Sequence, residues 1–203
     1  MKRHLIIINF IIILLLATVY VSGYYFINYP IQFNFWHSIQ ESGFEYFPVI
    51  LAMTAIVTYL LSSLPLKGLD FKGKFLRIHP IINTIVILFF TISAGNEFVK
   101  TKKELSKKER EYALHAEKDI KNDKVIILYA GGLSNDSQYQ KVNDKIADIQ
   151  KKYGVTYTNT GCVIDPIDIE AQKKYAEKVK PYLERRNGKG WEKRMQKEID
   201  CIK

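Results

Sequence analysis

Charged side chains are scarce in the first half of this 203-residue chain. Residues 1–95 hold only six of its 30 Lys and Arg and three of its 21 Asp and Glu. Residues 5–27 carry no charge, and residues 24–47 contain no Lys or Arg. The whole-chain averages, 47% hydrophobic and 25% charged, resemble those of a soluble protein. The uneven distribution instead predicts a membrane region followed by a polar domain.

The sequence also lacks the motifs that identify common catalytic and metal sites. It has no Cys-x-x-Cys, no Gly-x-Ser-x-Gly and no Walker phosphate loop, and its four His lie in four separate segments. We therefore expect a non-enzymatic protein without cofactor or metal. An enzyme with an unrecognised site around Gly131 and Asp165 is the least favoured hypothesis.

Three apolar stretches, at about residues 5–27, 46–65 and 78–99, are each long enough to cross a bilayer core of ~30 Å as a helix. Together they define a transmembrane region over residues 1–99. The first stretch follows a basic start and has an alternative interpretation as a cleaved signal peptide. Its uncharged run is longer than a typical signal peptide, which favours a retained helix.

A basic loop at residues 67–77, with four cations and one anion, separates the second and third stretches. Short basic loops stay in the cytoplasm, as do basic N-termini such as Lys2-Arg3. Three spans then place the N-terminus inside and the C-terminal region outside a bacterial-type inner membrane. The Lys-rich segment at residues 100–108 opposes export, although long domains translocate largely regardless of charge.

The loop between the first two stretches is rich in aromatic residues, ten of them within residues 24–47. Aromatic rings with a polar edge collect at membrane–water interfaces. We interpret this loop as lying on the outer bilayer surface, with a substrate-binding aromatic patch as the alternative.

Residues 100–122 are rich in Lys, Glu and Ala and predict a charged helical stalk that continues the third span. Residues 123–203 predict a small extracytoplasmic α/β domain of βαβαα type. Strands are expected at 125–129 and 155–159, because both runs are rich in apolar, β-branched and aromatic residues. Helical periodicity predicts three helices with these buried positions: Tyr139, Val142, Ile146, Ile149 and Tyr153; Ala171, Tyr175, Val179, Tyr182 and Leu183; Trp191, Met195, Ile199 and Ile202.

Local signals set the expected boundaries in this domain. Gly154 should end the first helix and Asn187-Gly188 the second. Asp168 should cap the second helix, and Pro181 should kink it or start a new segment. Residues 162–164 continue the second strand or pair back onto it. A sheet of two strands is thin, so we expect a third strand or a partner to complete it.

The chain has only two cysteines, Cys162 and Cys201, and both lie in the polar region. A disulfide between them would tie the last helix to the sheet, and an oxidising compartment would allow it. The alternative is two buried free thiols.

Two other features are weaker candidates for a binding site. The turn Gly131-Gly132, with Ser134, follows a strand and precedes a helix, where backbone N–H groups can hold an anion. Asp165 and Asp168 resemble a carboxylate pair, but capping and turn formation explain both.

The preferred function is therefore a multi-pass membrane protein that presents a small non-catalytic domain for binding a partner or ligand. The alternative is a subunit of a transport or secretion complex, in which the helices are the functional part. We expect the bilayer and a protein as partners, and no nucleic acid, because the membrane anchor and the predicted outside location both argue against it. A homo-oligomer is compatible with the sequence.

Overall fold

A computed structural model describes residues 2–65, 70–129, 140–161 and 165–202. The chain divides into two compact units, Met1–Lys102 and Lys103–Lys203, and the division falls inside the long helix α4. The described elements, in order, are α1 Lys2–Ile27, α2 Phe35–Glu41, a short 3-10 helix Phe44–Tyr46, α3 Phe47–Ser63, α4 Phe71–Lys121, β1 Val125–Tyr129, α5 Gln140–Lys152, β2 Val155–Asn159, α6 Pro166–Asn187 and α7 Trp191–Asp200.

The first unit is built from helices that are apolar on their outer surfaces. Three helices of the structure, α1, α3 and α4, are long and apolar enough to cross a membrane. Many of their large apolar side chains are exposed, among them Phe10, Leu60 and Phe89. Because water would disfavour so much exposed apolar surface, this arrangement is typical of helices surrounded by lipid.

The interior of the first unit combines an apolar cluster with small polar side chains. Leu16, Phe47 and Ile87 are buried against one another. Along α3 the hydroxyl residues Thr54, Thr58 and Ser62 recur every four positions and are all buried. Small residues on one face allow helices to approach closely, which is the usual basis of packing in membranes.

Helix α4 starts earlier than the sequence suggested. It begins at Phe71, whereas the third span was predicted to begin at residue 78, and Pro80 lies inside it. The predicted basic loop at 67–77 is therefore partly helical, with Lys72, Lys74 and Arg77 in the first two turns. The Lys74 Nζ donates a hydrogen bond of 2.7 Å to the Leu64 carbonyl just after α3, where it neutralises the negative end of that helix.

The second unit contains a parallel pair of strands. Residues Val125 to Tyr129 of β1 align with Val155 to Asn159 of β2, and α5 connects the two strands. The order β1, α5, β2, α6, α7 agrees with the predicted sequence of elements. Within the described residues the sheet has two strands, which is too few to establish an α/β fold class, so the third strand or partner stays a prediction.

The helix boundaries of this unit follow local chemistry. Gly154, with a φ of 73°, follows α5, and Gly188, with a φ of 78°, ends α6. Asp165 caps α6 by accepting a hydrogen bond from the Ile167 N–H at 2.9 Å. The prediction that Asp168 is the cap is wrong, because Pro166 already occupies the first position of the helix.

Helix α6 is not divided at Pro181, so the expected new segment does not begin there. Pro181 is exposed, whereas Val179 and Leu183 on either side are buried. Packing of these flanking side chains outweighs the one helical hydrogen bond that a proline removes. The core that holds them also includes Ala116, Val125, Val155, Trp191 and Met195.

Candidate functional site

A cleft of about 930 Å³ opens between α4, β1, α6 and the start of α7, entirely within the second unit. Its floor is apolar and includes Ile126, Val179, Leu183 and Trp191. Polar and charged side chains of α4 and α6 form its rim. Concave sites of this size, with an apolar floor and a few polar groups, are where proteins bind small molecules or side chains of partners.

One edge of β1 lies in this cleft. The backbone hydrogen bonds between β1 and β2 extend from Val125 N to Gly154 O (3.0 Å) at one end and from Thr160 N to Tyr129 O (2.9 Å) at the other. Val125 and Tyr129 therefore direct these groups toward β2. Since successive residues of a strand direct their backbone groups to opposite edges, Ile126 and Leu128 direct theirs away from β2. Both residues line the cleft.

A tyrosine hydroxyl connects this strand edge to α4. The Ile126 N–H donates to the Tyr175 hydroxyl oxygen at 2.8 Å, and the Tyr175 hydroxyl donates to Asp119 Oδ2 at 2.7 Å. Burial, and secondly the hydrogen bond to Asp119, raise the pKa of Tyr175 well above its usual value. The hydroxyl is therefore held protonated, and it orients the Asp119 carboxylate in the cleft.

A second cluster joins α4 to the start of α6. Lys108 Nζ lies 3.0 Å from Asp165 Oδ2 and 2.8 Å from Asp168 Oδ1. The Lys108 ammonium, with the Ile167 N–H as a smaller cause, lowers the pKa of the Asp165 carboxyl. Asp165 and Asp168, which the sequence suggested as a carboxylate pair, do lie close together. Both bind the Lys108 ammonium, which links α4 to the start of α6.

The other predicted site residues have different outcomes. Gly131, Gly132 and Ser134 lie outside the described residues, so the anion-binding turn stays a prediction. Cys162 also lies outside them, and Cys201 is an exposed free cysteine. The disulfide has no support from the described part of the chain.

The first unit contains a polar cluster that sequence reasoning missed. Because α4 starts at Phe71, His79 lies two turns inside this helix, where it is only 7% exposed, instead of at the end of a span. Its Nδ1 is 2.9 Å from Asn9 Oδ1 on α1, and the Asn83 Nδ2 lies 3.1 Å from the same Nδ1 and 3.2 Å from Nε2. Asn83 is fully buried, and its Oδ1 has no partner among the described residues.

The hydrogen bonds of Asn9 determine the state of His79. The Asn9 Nδ2 donates to the carbonyls of Leu5 and Leu76, at 2.8 and 2.9 Å, which leaves Oδ1 as an acceptor facing the imidazole. The contact with Asn9 Oδ1 favours a proton on Nδ1 of His79. The one available sequence signal was the presence of Asn9 within an apolar run.

Within the residues that the structure describes, no three His, Cys, Asp or Glu side chains converge as a metal ion would require. No family model, no curated protein and no solved structure matches this chain.

Proposed function

We propose that this protein is a membrane-anchored, non-catalytic binding module whose second unit binds a partner or ligand in the cleft beside β1. The observation that carries the proposal is the cleft itself, with its apolar floor and one edge of β1 along it. Several of its polar groups are bonded to one another as structural ties, Lys108 to two carboxylates and Tyr175 to one oxygen of Asp119. Such an arrangement supports recognition better than proton transfer.

Fluorescence of Trp191 tests binding in the cleft. The only other tryptophan, Trp36, is 73% exposed, so the full-length Trp36→Phe variant in lipid nanodiscs reports on Trp191 alone. We expect saturable emission changes with at least one member of a panel of neutral, cationic and anionic aryl-alkyl compounds.

Two matched variants control this measurement. Ala176→Phe fills the cleft and should abolish the change, whereas Lys145→Phe, on the exposed surface of α5, should preserve it. If no compound in the panel alters Trp191 emission, or if Ala176→Phe has no effect, the cleft is not a binding site.

The proposed topology places the N-terminus in the cytoplasm and the second unit outside an inner membrane, where a Cys162–Cys201 disulfide can form. The support is the basic segment at residues 67–77, which includes the first two turns of α4, together with three apolar helices. Impermeant thiol reagents should label the two cysteines of intact cells only after reduction. Labelling that requires a broken membrane but no reduction would place this unit in the cytoplasm.

One observation favours the alternative, a subunit of a transport or secretion complex. Ionisable residues buried within apolar helices are functional candidates by default, and His79 is such a residue. Deleting residues 104–203 separates the two functions. A cellular phenotype that survives the deletion but is lost in His79→Leu assigns the function to the helices.

A further inference from the structure

The cleft contains a half-buried carboxylate, Asp119, that is paired with no cation among the described residues. Asp119 Oδ2 accepts the Tyr175 hydroxyl, while Oδ1 makes no hydrogen bond within the described part of the chain. Asp119 lies in the last turn of α4, where the negative end of the helix dipole disfavours a carboxylate. The lysines of this turn, Lys118 and Lys121, are exposed and form no ion pair with it among the described residues.

The remaining charges of the rim are mostly neutralised by neighbours. Lys108 and Lys173 are paired with carboxylates of α6 and its cap, and Glu177 is paired with Lys174. Among the described residues that line the cleft, two carboxylates, Asp119 and Glu192, and one ammonium, Lys180, have no ion-pair partner. The cleft thus has an anionic excess, although the whole chain carries a net charge of +9.

The apolar floor adds a second requirement. Ile126, Val179, Leu183 and Trp191 offer surface that is stabilised by contact with apolar groups, and they lie in the same cleft as the Asp119 carboxylate. A fitting occupant has an apolar body and one positive group. An anion would face the carboxylates, and a purely apolar molecule would leave Asp119 unpaired and further desolvated.

We propose that the cleft binds a small organic cation, an amine with an apolar body, whose ammonium group donates to Asp119 Oδ1. The Tyr175 hydroxyl holds the carboxylate in position from its other oxygen. This assignment rests on the proposed binding function and adds the chemical class of the ligand.

The test compares three compounds of one shape, 4-phenylbutylamine, 4-phenylbutan-1-ol and 4-phenylbutanoate. Each is titrated into nanodiscs that contain the full-length Trp36→Phe protein, and Trp191 emission is followed. We expect the amine to bind about tenfold or more tightly than the alcohol, since a charge-assisted bond in a partly dry site contributes on this scale.

Asp119→Asn removes the charge but still accepts the Tyr175 hydroxyl, so the fold is preserved. We expect it to eliminate the preference for the amine, whereas Asp119→Glu and the exposed control Asp144→Asn retain it. Equal binding of amine and alcohol, or a preference for the carboxylate, would overturn the cation assignment and leave the binding function standing. Absence of binding by all three compounds would count against both.

Discussion

At the scale of single residues, Tyr175 serves two elements at once. Its hydroxyl satisfies the Ile126 N–H at the edge of β1 and the Asp119 carboxylate of α4. Tyr175→Phe leaves both groups without this partner, and we expect the second unit to lose about 1–3 kcal/mol of unfolding free energy. Tyr129→Phe, at an exposed position, should change it little. Denaturant unfolding followed by Trp191 emission measures the unfolding free energy of both variants. An equal loss of stability in Tyr175→Phe and Tyr129→Phe would contradict the bridging role of Tyr175.

A second residue-scale prediction concerns the tautomer of His79. Because Asn9 Nδ2 donates to two carbonyls, Asn9 Oδ1 is the atom that faces the imidazole, and we expect the imidazole proton on Nδ1. Nitrogen-15 NMR of histidine-labelled protein in bilayers should show a protonated Nδ1 and an unprotonated Nε2. In Asn9→Leu this preference should weaken. A predominant Nε2–H form in the unmodified protein would contradict the hydrogen-bond pattern.

Among the elements, the junction of α5 and β2 depends on a glycine. Gly154 has a φ of 73°, and a Cβ at this position would lie 2.8 Å from Arg186 Nε. Gly154→Ala combines backbone strain of about 1–2 kcal/mol with this clash. We expect a smaller loss of stability when the same change is made in an Arg186→Ala background, because only the strain remains. A double-mutant cycle of unfolding free energies tests this, and strict additivity would exclude the clash.

The start of α6 carries the fourth prediction. Asp165→Ala removes the cap and should cost about 1 kcal/mol of stability, whereas Asp165→Asn keeps an acceptor for the Ile167 N–H. The pKa of Asp165 is lowered by Lys108, so its charged form favours folding. This contribution is complete above the unfolded pKa of about 3.9 and is lost as the pH falls through the lower folded value. The free energy of unfolding, measured from neutral to acidic pH, should fall at acidic pH. This fall should be smaller in Lys108→Met.

The elements themselves were largely predictable because their signals are local. The period of Val142, Ile146 and Ile149 identified α5, and β-branched and aromatic residues identified β2. The starts of α4 and α6 were harder to predict. Pro80 lies inside α4, whereas Pro166 occupies the first position of α6 and makes Asp165 its cap. Proline alone therefore does not indicate whether a helix starts at it or continues through it.

For the whole molecule, charge distribution and the length of the apolar runs predicted three long apolar helices and a polar second part. The cleft has no such signature, since its lining comes from residues 108–119, 126–128 and 168–192. Those side chains meet only through tertiary packing. The polar cluster of His79 was not predicted for a related reason, because its partner Asn9 is 70 positions away along the chain.

The composition of the second core also dictates an order of events during synthesis. That core combines Ala116 of α4 with Val155 of β2 and Ile199 of α7. It cannot close until α7 has left the ribosome, and α1, α3 and the apolar part of α4 have by then all been translated. Insertion of the apolar helices can therefore begin while the second unit is still an open chain. A ribosome stalled before Trp191 would hold a nascent chain whose β1 and α6 expose their apolar faces, a substrate for chaperones and proteases.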